Sequence, residues 1–146
     1  MKSATHSQFG EPAEVLSLTE SPRPEPGPGE VRIKTTLAAI HNHDLWTVRG
    51  SYGYKPELPA IGGSEAVGTI DALGDGVTGL DIGQRVTTAS AHGTWAEFFT
   101  APAAAVVPLP AASPDEAAAP RIAMPVSALT LLDFLGAKAG DWLIQN

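Results

Sequence analysis

Two histidines, an aspartate, a tryptophan, two tyrosines and a Ser-Glu pair fall between His41 and Gly68, in HNHDLWTVRGSYGYKPELPAIGGSEAVG. Imidazole, carboxylate, phenol and hydroxyl groups gathered this closely can ligate a metal, move a proton or donate to a developing oxyanion. His41 and His43 are alternate residues, so in an extended segment both rings point the same way. With Asp44 they would begin a metal site whose third ligand comes from His92 or an acid elsewhere. The commoner state of an isolated histidine pair is to satisfy hydrogen bonds. Tyr52 and Tyr54 offer phenolic hydroxyls for donor or acid work, against the plain alternative of rings packed on the scaffold with hydroxyls in water. Asp44 suits a capping or anchoring role. Trp46 suits a substrate pocket or a half-buried place in the core. The glycines before Ser64 and Glu65 let backbone approach a ligand, with Glu65 read as a structural acid.

These groups need a scaffold on both sides. Asn42 or Asp44 starts a short helix through Val48 that stops at Gly50, and Ser51 to Pro59 follows as a loop carrying both tyrosines. Before it, Glu30 to Ala39 is the clearest strand, with Val31, Ile33, Thr35 and Leu37 on one face and Arg32, Lys34 and Thr36 on the other. After it, Ala66 to Leu73 is a strand, and the Gly74-Asp75-Gly76 turn leads towards another at Gln84 to Ala89. Thr94 to Thr100 and Ala104 to Leu109 are further short strands, and Trp95 and Phe98-Phe99 are core and rim residues. At the start, Met1 to His6 and Ala13 to Thr19 form a hairpin around Phe9 to Pro12. The segment Ser21 to Gly29, SPRPEPGPG, runs extended over the surface as a polyproline linker with no partner implied. Many short strands divided by glycine and proline predict a mainly β fold, a closed or partly closed barrel with short helices.

The pattern changes at Ser113-Pro114-Asp115-Glu116, with a capping serine, proline at the first helical position and acids in the first turn. Apolar residues then recur at helical spacing from Ile122 to Leu135, Gly136 ends the helix, and Trp142 to Asn146 reads as the start of a strand. A strand after a helix opens a parallel α/β unit whose neighbours these residues do not contain. The expected division is a barrel domain at 1–112 and, at 113–146, a helical connection into the first strand of a second domain cut short.

Composition narrows the function. The 146 residues are 43% hydrophobic and 17% charged, with 15 glycines and 13 prolines, as in a turn-rich globular protein. Nine basic against sixteen acidic residues give a net charge of -7 with no basic run. Nucleic acid and membrane surfaces are therefore not expected partners. With no cysteine there is no disulfide, thiol nucleophile or thiolate metal site. A cytoplasmic protein is the default expectation, since no signal peptide or spanning run is present.

The pieces GPGEVRIKTTLAAI, NHDL, G-S-Y-G, LPAIGGSEAVGTIDALGDGVTGLDIGQRV, GTWAEFF and AGDWLIQN resemble, in order and spacing, the medium-chain dehydrogenase/reductase superfamily over almost the whole chain. That resemblance implies a GroES-like barrel carrying catalytic residues and a Rossmann domain binding NADPH or NADH. No G-x-G-x-x-G lies at a strand-to-helix turn here, so the nucleotide would be held mainly by a domain outside these residues. Zinc-dependent alcohol dehydrogenases use two cysteines and a histidine; in the family's motif order these fall at His41, near Met124 and at Ser64. The four-cysteine zinc lobe is absent, so the resemblance is to a zinc-independent branch with no metal.

G-x-Y-G at Gly50 to Gly53, ELPAIGGSE and GTW are most similar to the enoyl-thioester reductases, with quinone oxidoreductases next. The resemblance makes Tyr52 a catalytic residue that binds and protonates substrate while the nicotinamide supplies hydride. It makes His41, His43, Trp46 and Ser64 lining residues, and Asp44 and Glu65 structural ones. His41 stands where these relatives carry asparagine. The expected protein is thus an NAD(P)H-dependent reductase of an activated C=C bond or a quinone, acting on a small molecule and dimeric through the Rossmann domain, with the fragment alone inactive. The alternatives are a GroES-like module that binds a partner without catalysis, and a zinc enzyme with an atypical site.

Overall fold

The computed structural model describes residues 1–89 and 91–144. Its framework is a five-stranded antiparallel sheet ordered β7-β3-β5-β6-β8, formed by β3 (Glu30–Ala38), β5 (Ala66–Leu73), β6 (Arg85–Thr88), β7 (Phe98–Pro102) and β8 (Val106–Pro108). Val31 and Ile33 project from β3 into a core with Ile70, Val86 and Phe99. The predicted alternation fails at its far end. Between Thr35 and Leu37 the pairing with β5 slips, so Leu37 is 39% exposed and Ala38 packs on the core instead. One extra residue shifts every later side chain to the other face.

A smaller sheet, β2-β1-β4, contains β1 (Lys2–His6), β2 (Ser17–Glu20) and β4 (Ala60–Ile61). The expected hairpin forms, but its second strand is shorter than predicted. Helix α1 (Pro12–Val15) occupies the first half of that stretch, with Pro12 in its first turn where no amide donor is required. The two sheets meet through residues 95–97. Ala4 donates its amide to the Trp95 carbonyl at 2.8 Å and Glu97 donates to Lys2, while Thr35 donates to Glu97. The barrel is therefore only partly closed, with the sheets joined along this segment.

The proline-rich segment before β3 is extended as predicted, yet it is a strap rather than a free linker. Arg32 lies on the polar face of β3 and is buried, because its guanidinium donates to Asp71 at 2.6 Å, to Glu25 at 2.6 Å and to the Pro24 carbonyl at 3.1 Å. Arg23 also pairs with Asp71 and lies 4.0 Å above the Phe98 ring. Burial pushes the Asp71 carboxyl up, but hydrogen bonds from Arg32 and Arg23 outweigh it and hold the group below its ordinary value. A carboxyl depressed in the folded state stabilises above its unfolded value, and that stabilisation fades as pH falls through the folded one. Asp71→Asn should cost about 2 kcal/mol at neutral pH. It should also shrink the stability difference between pH 7 and pH 3, as read from urea unfolding.

Helix α2 (Asn42–Arg49) ends at Gly50, whose left-handed φ of 74° turns the chain; a side chain there would strike Phe9 at 2.8 Å. Beyond β8, α3 (Asp115–Ala118) covers the reverse face of β5, where Ala118 and Ala119 pack on Val67. Its N-cap is Pro114, and the expected serine cap at Ser113 makes no side-chain bond. Helix α4 (Ala123–Leu135) follows, closed by Gly136 at φ 61°. Residues 142–144 of the expected terminal strand have no regular structure, since no neighbouring strand is present among the described residues; Gln145 and Asn146 lie outside them. No helix among the described residues is long and apolar enough to cross a membrane.

Candidate functional site

The chain leaves β3 and enters α2 at His41, which is the helix N-cap. The Asp44 side chain folds back to accept the His41 amide proton at 2.9 Å, the reciprocal half of a capping box. Asp44 is thereby bonded to the first turn of the helix, and it is 3% exposed. Its other oxygen accepts the Ser64 hydroxyl at 2.6 Å. Ser64 arrives from a turn at Gly63, where φ is 91° and an added methyl would meet Thr94 and Trp95 at 2.4 Å. Only glycine lets this backbone lie against Trp95, whose indole donates to the Ala39 carbonyl at 2.9 Å.

Ser64 Oγ has one proton, and it is given to Asp44. The contact of 2.9 Å between Ser64 Oγ and His43 Nε2 must then be a donation from the imidazole, which places a proton on Nε2. His43, Ser64 and Asp44 have the residue types of a hydrolytic triad but in a different order. The serine donates to the acid and receives from the histidine, so nothing here withdraws its proton to make a nucleophile.

His41 is turned inward. Its Nε2 lies 2.7 Å from Glu65 Oε2, and Glu65 is completely buried. The second Glu65 oxygen accepts the Ile122 amide at 2.6 Å and the Ala123 amide at 3.2 Å, which open α4. A carboxylate at a helix N-terminus satisfies otherwise orphaned donors and the positive end of the helix dipole. The Glu65 link to α4 joins residues 57 apart and has no signature in local sequence.

The rings continue the polar chain outward. His41 and His43 stack with centroids 5.0 Å apart, and His43 stacks on Tyr52 at 5.7 Å. Tyr52 stands in the loop after α2, 41% exposed, with no hydrogen bond from its hydroxyl among the described residues. His43, Tyr52 and Ser64 line a cleft of about 300 Å³ together with Tyr54, Gly63 and His92. Tyr54 packs its ring on His92 at 4.3 Å and also faces the cleft. His41 lies behind the wall, and Trp46 is 49% exposed away from the lining. Sequence reasoning missed His92 as a lining residue; the turn residues around it, Ala91 and Gly93, are the only local sign that it sits on a loop.

The positions that the resemblance equates with zinc ligands are otherwise engaged. His41 is bonded to Glu65, Ser64 to Asp44, and Met124 is 49% exposed on α4. Among the described residues no group of three or more histidine, aspartate or glutamate side chains is arranged to hold a metal. At these positions the chain offers an imidazole, a hydroxyl and a thioether, where a catalytic zinc of this kind takes two thiolates and an imidazole.

Residues 27–111 match the family described as the alcohol dehydrogenase GroES-like domain. The human mitochondrial enoyl-[acyl-carrier-protein] reductase is 34% identical over 148 residues, covering 100% of this chain and 40% of that protein. An alcohol dehydrogenase from Geobacillus stearothermophilus is 32% identical, covering 98% of this chain and 50% of that one. A mycobacterial structure complexed with NADPH superposes with a TM-score of 0.89 at 36% identity, over 97% of this chain and 44% of that chain. Escherichia coli quinone oxidoreductase complexed with NADPH gives 0.85 at 28% identity, over 90% and 40%. The chain thus spans half or less of the length of each of these relatives.

Proposed function

The chain belongs to the alcohol dehydrogenase GroES-like domain family of the medium-chain dehydrogenase/reductase superfamily, and from that premise we propose that it forms the substrate-facing part of a zinc-independent NAD(P)H-dependent reductase. The reaction is reduction of a C=C bond conjugated to a thioester carbonyl, or of a quinone. The carrying observation is Tyr52, held at the cleft by the His43 ring with its hydroxyl uncommitted. A cleft of about 300 Å³ walled by rings accommodates a nicotinamide and a small acceptor. The pyrophosphate of the cofactor needs a glycine-rich turn, which we place in a nucleotide-binding domain beyond these residues.

The bound cofactor supplies the hydride. The chain's own residues do the rest. As negative charge develops on the substrate oxygen, the Tyr52 hydroxyl donates a hydrogen bond to it and lowers the barrier. His41 and Glu65 hold the wall from behind. No step requires a metal, because His41 and Ser64 are spent on carboxylates.

The ring pairs His43–Tyr52 and Tyr54–His92 also suit a flat acceptor, which keeps the quinone reading beside the thioester one. NAD(P)H oxidation by the full-length enzyme, followed at 340 nm with a 2-enoyl thioester and with a quinone, separates the two. Oxidation with neither acceptor, under conditions where the cofactor binds, removes the reductase reading.

A further inference from the structure

Tyr52 follows α2 in a loop, and its hydroxyl makes no hydrogen bond among the described residues, yet a group that donates to a developing charge must be held in place before the reaction. What holds it is a ring stack anchored at two points. His41, the inner ring, is fixed by Glu65 at 2.7 Å. His43, the middle ring, is fixed by Ser64 at 2.9 Å, and Ser64 by the buried Asp44 at 2.6 Å. The ring planes are tilted only 19° and 29° from one to the next, so the orientation of His43 sets that of Tyr52.

Resting on the reductase reading above, we propose that Ser64 and Asp44 are positioning residues for the reaction: through Ser64 Oγ they lock His43 as its Nε2-protonated tautomer, and the locked ring holds Tyr52 over the cleft. The serial order of the bonds is what makes this specific. Asp44 accepts the only proton Ser64 has, so Ser64 presents a lone pair and accepts only from a protonated Nε2. His43 Nδ1 is then the ring nitrogen left for a ligand in the cleft, and in the neutral ring it is an acceptor. A cleft with an acceptor at His43 beside a donor at Tyr52 discriminates by hydrogen-bond polarity as well as by shape. A ring free to flip would present either nitrogen and would leave Tyr52 with a mobile neighbour.

The test has a spectroscopic arm and a kinetic arm. Long-range proton–nitrogen correlation spectra of the purified protein should assign His43 as the Nε2–H tautomer, and the Tyr52 ring protons should be displaced upfield by the imidazole face. In Ser64→Ala the tautomer preference and the Tyr52 displacement should both diminish, while Ser64→Thr, which keeps the hydroxyl, should retain them. In the full-length reductase Ser64→Ala should lower kcat about tenfold with KM changed less than twofold, and Ser64→Thr should restore most of kcat. An Nδ1–H tautomer for His43 in the unmodified protein would overturn the proposal without any variant. So would Tyr52 resonances unmoved in a folded Ser64→Ala protein. If the unmodified enzyme oxidises no NAD(P)H, the reductase reading fails by itself, and the spectra still decide whether Ser64 and Asp44 set the ring.

Discussion

Glu65→Ala is expected to destabilise the fold by about 3–5 kcal/mol, the largest effect of any single change at the site. The carboxylate is completely buried and accepts three hydrogen bonds, from the His41 imidazole and from the Ile122 and Ala123 amides. Alanine removes the acceptor of two helix-terminal amides and of an imidazole N–H behind a fully buried side chain, and each buried orphan costs roughly 1–3 kcal/mol. It also removes a negative charge from the N-terminus of α4, a helix with no buried residue of its own. Glu65→Gln retains one oxygen and should cost about half as much, since the amide still serves one side of the bridge. Urea unfolding followed by circular dichroism gives both values. A Glu65→Ala protein within about 1 kcal/mol of the original would mean that α4 and His41 do not depend on this carboxylate.

Tyr52→Phe is expected to lower kcat by about 10²-fold in the full-length enzyme while leaving stability nearly unchanged. The two halves of that statement have different grounds. The hydroxyl makes no hydrogen bond among the described residues and the side chain is 41% exposed, so its removal leaves no buried partner unsatisfied. The phenyl ring keeps the stack on His43. On the proposed reductase reading, what is lost is the donor to the oxygen on which charge accumulates, and a loss confined to the transition state falls on kcat rather than on KM. Steady-state turnover on enoyl thioesters checks this, with thermal unfolding as the control. A folded variant with nearly full turnover would assign the proton and the oxyanion contact to another group.

Both predictions begin from residue types that stood out in the sequence, and both owe their size to neighbours that did not. The strands at Glu30–Ala38 and Ala66–Leu73, the helix ending at Gly50 and the helix ending at Gly136 were legible because they rest on local rules. Alternation, left-handed glycine caps and proline placement are written within a few residues of where they act. The stretch from His41 to Ser64 stood out because reactive side chains are concentrated there, and in the fold His43, Tyr52 and Ser64 line one cleft. The resemblance carried by motif order supplied the family, which the match over residues 27–111 establishes.

Tertiary structure decided which partner each of those side chains takes. Sequence shows His41 and His43 two residues apart and alike; in the fold one is buried against Glu65 and the other faces the cleft through Ser64. Sequence shows Glu65 beside Ser64, whereas in space its carboxylate belongs to α4, 57 residues away. The strap around Arg32 and the slip in β3 after Thr35 were hidden for the same reason. A hydrogen bond or ion pair forms between groups that folding brings to within about 3 Å, and local periodicity carries no record of that distance. The amino-acid sequence alone carried the family, most of the strands and the concentration of reactive side chains between His41 and Ser64; packing determined that His41 is held by Glu65, that His43 is held by Ser64, and that the Tyr52 hydroxyl has no hydrogen-bond partner among the described residues.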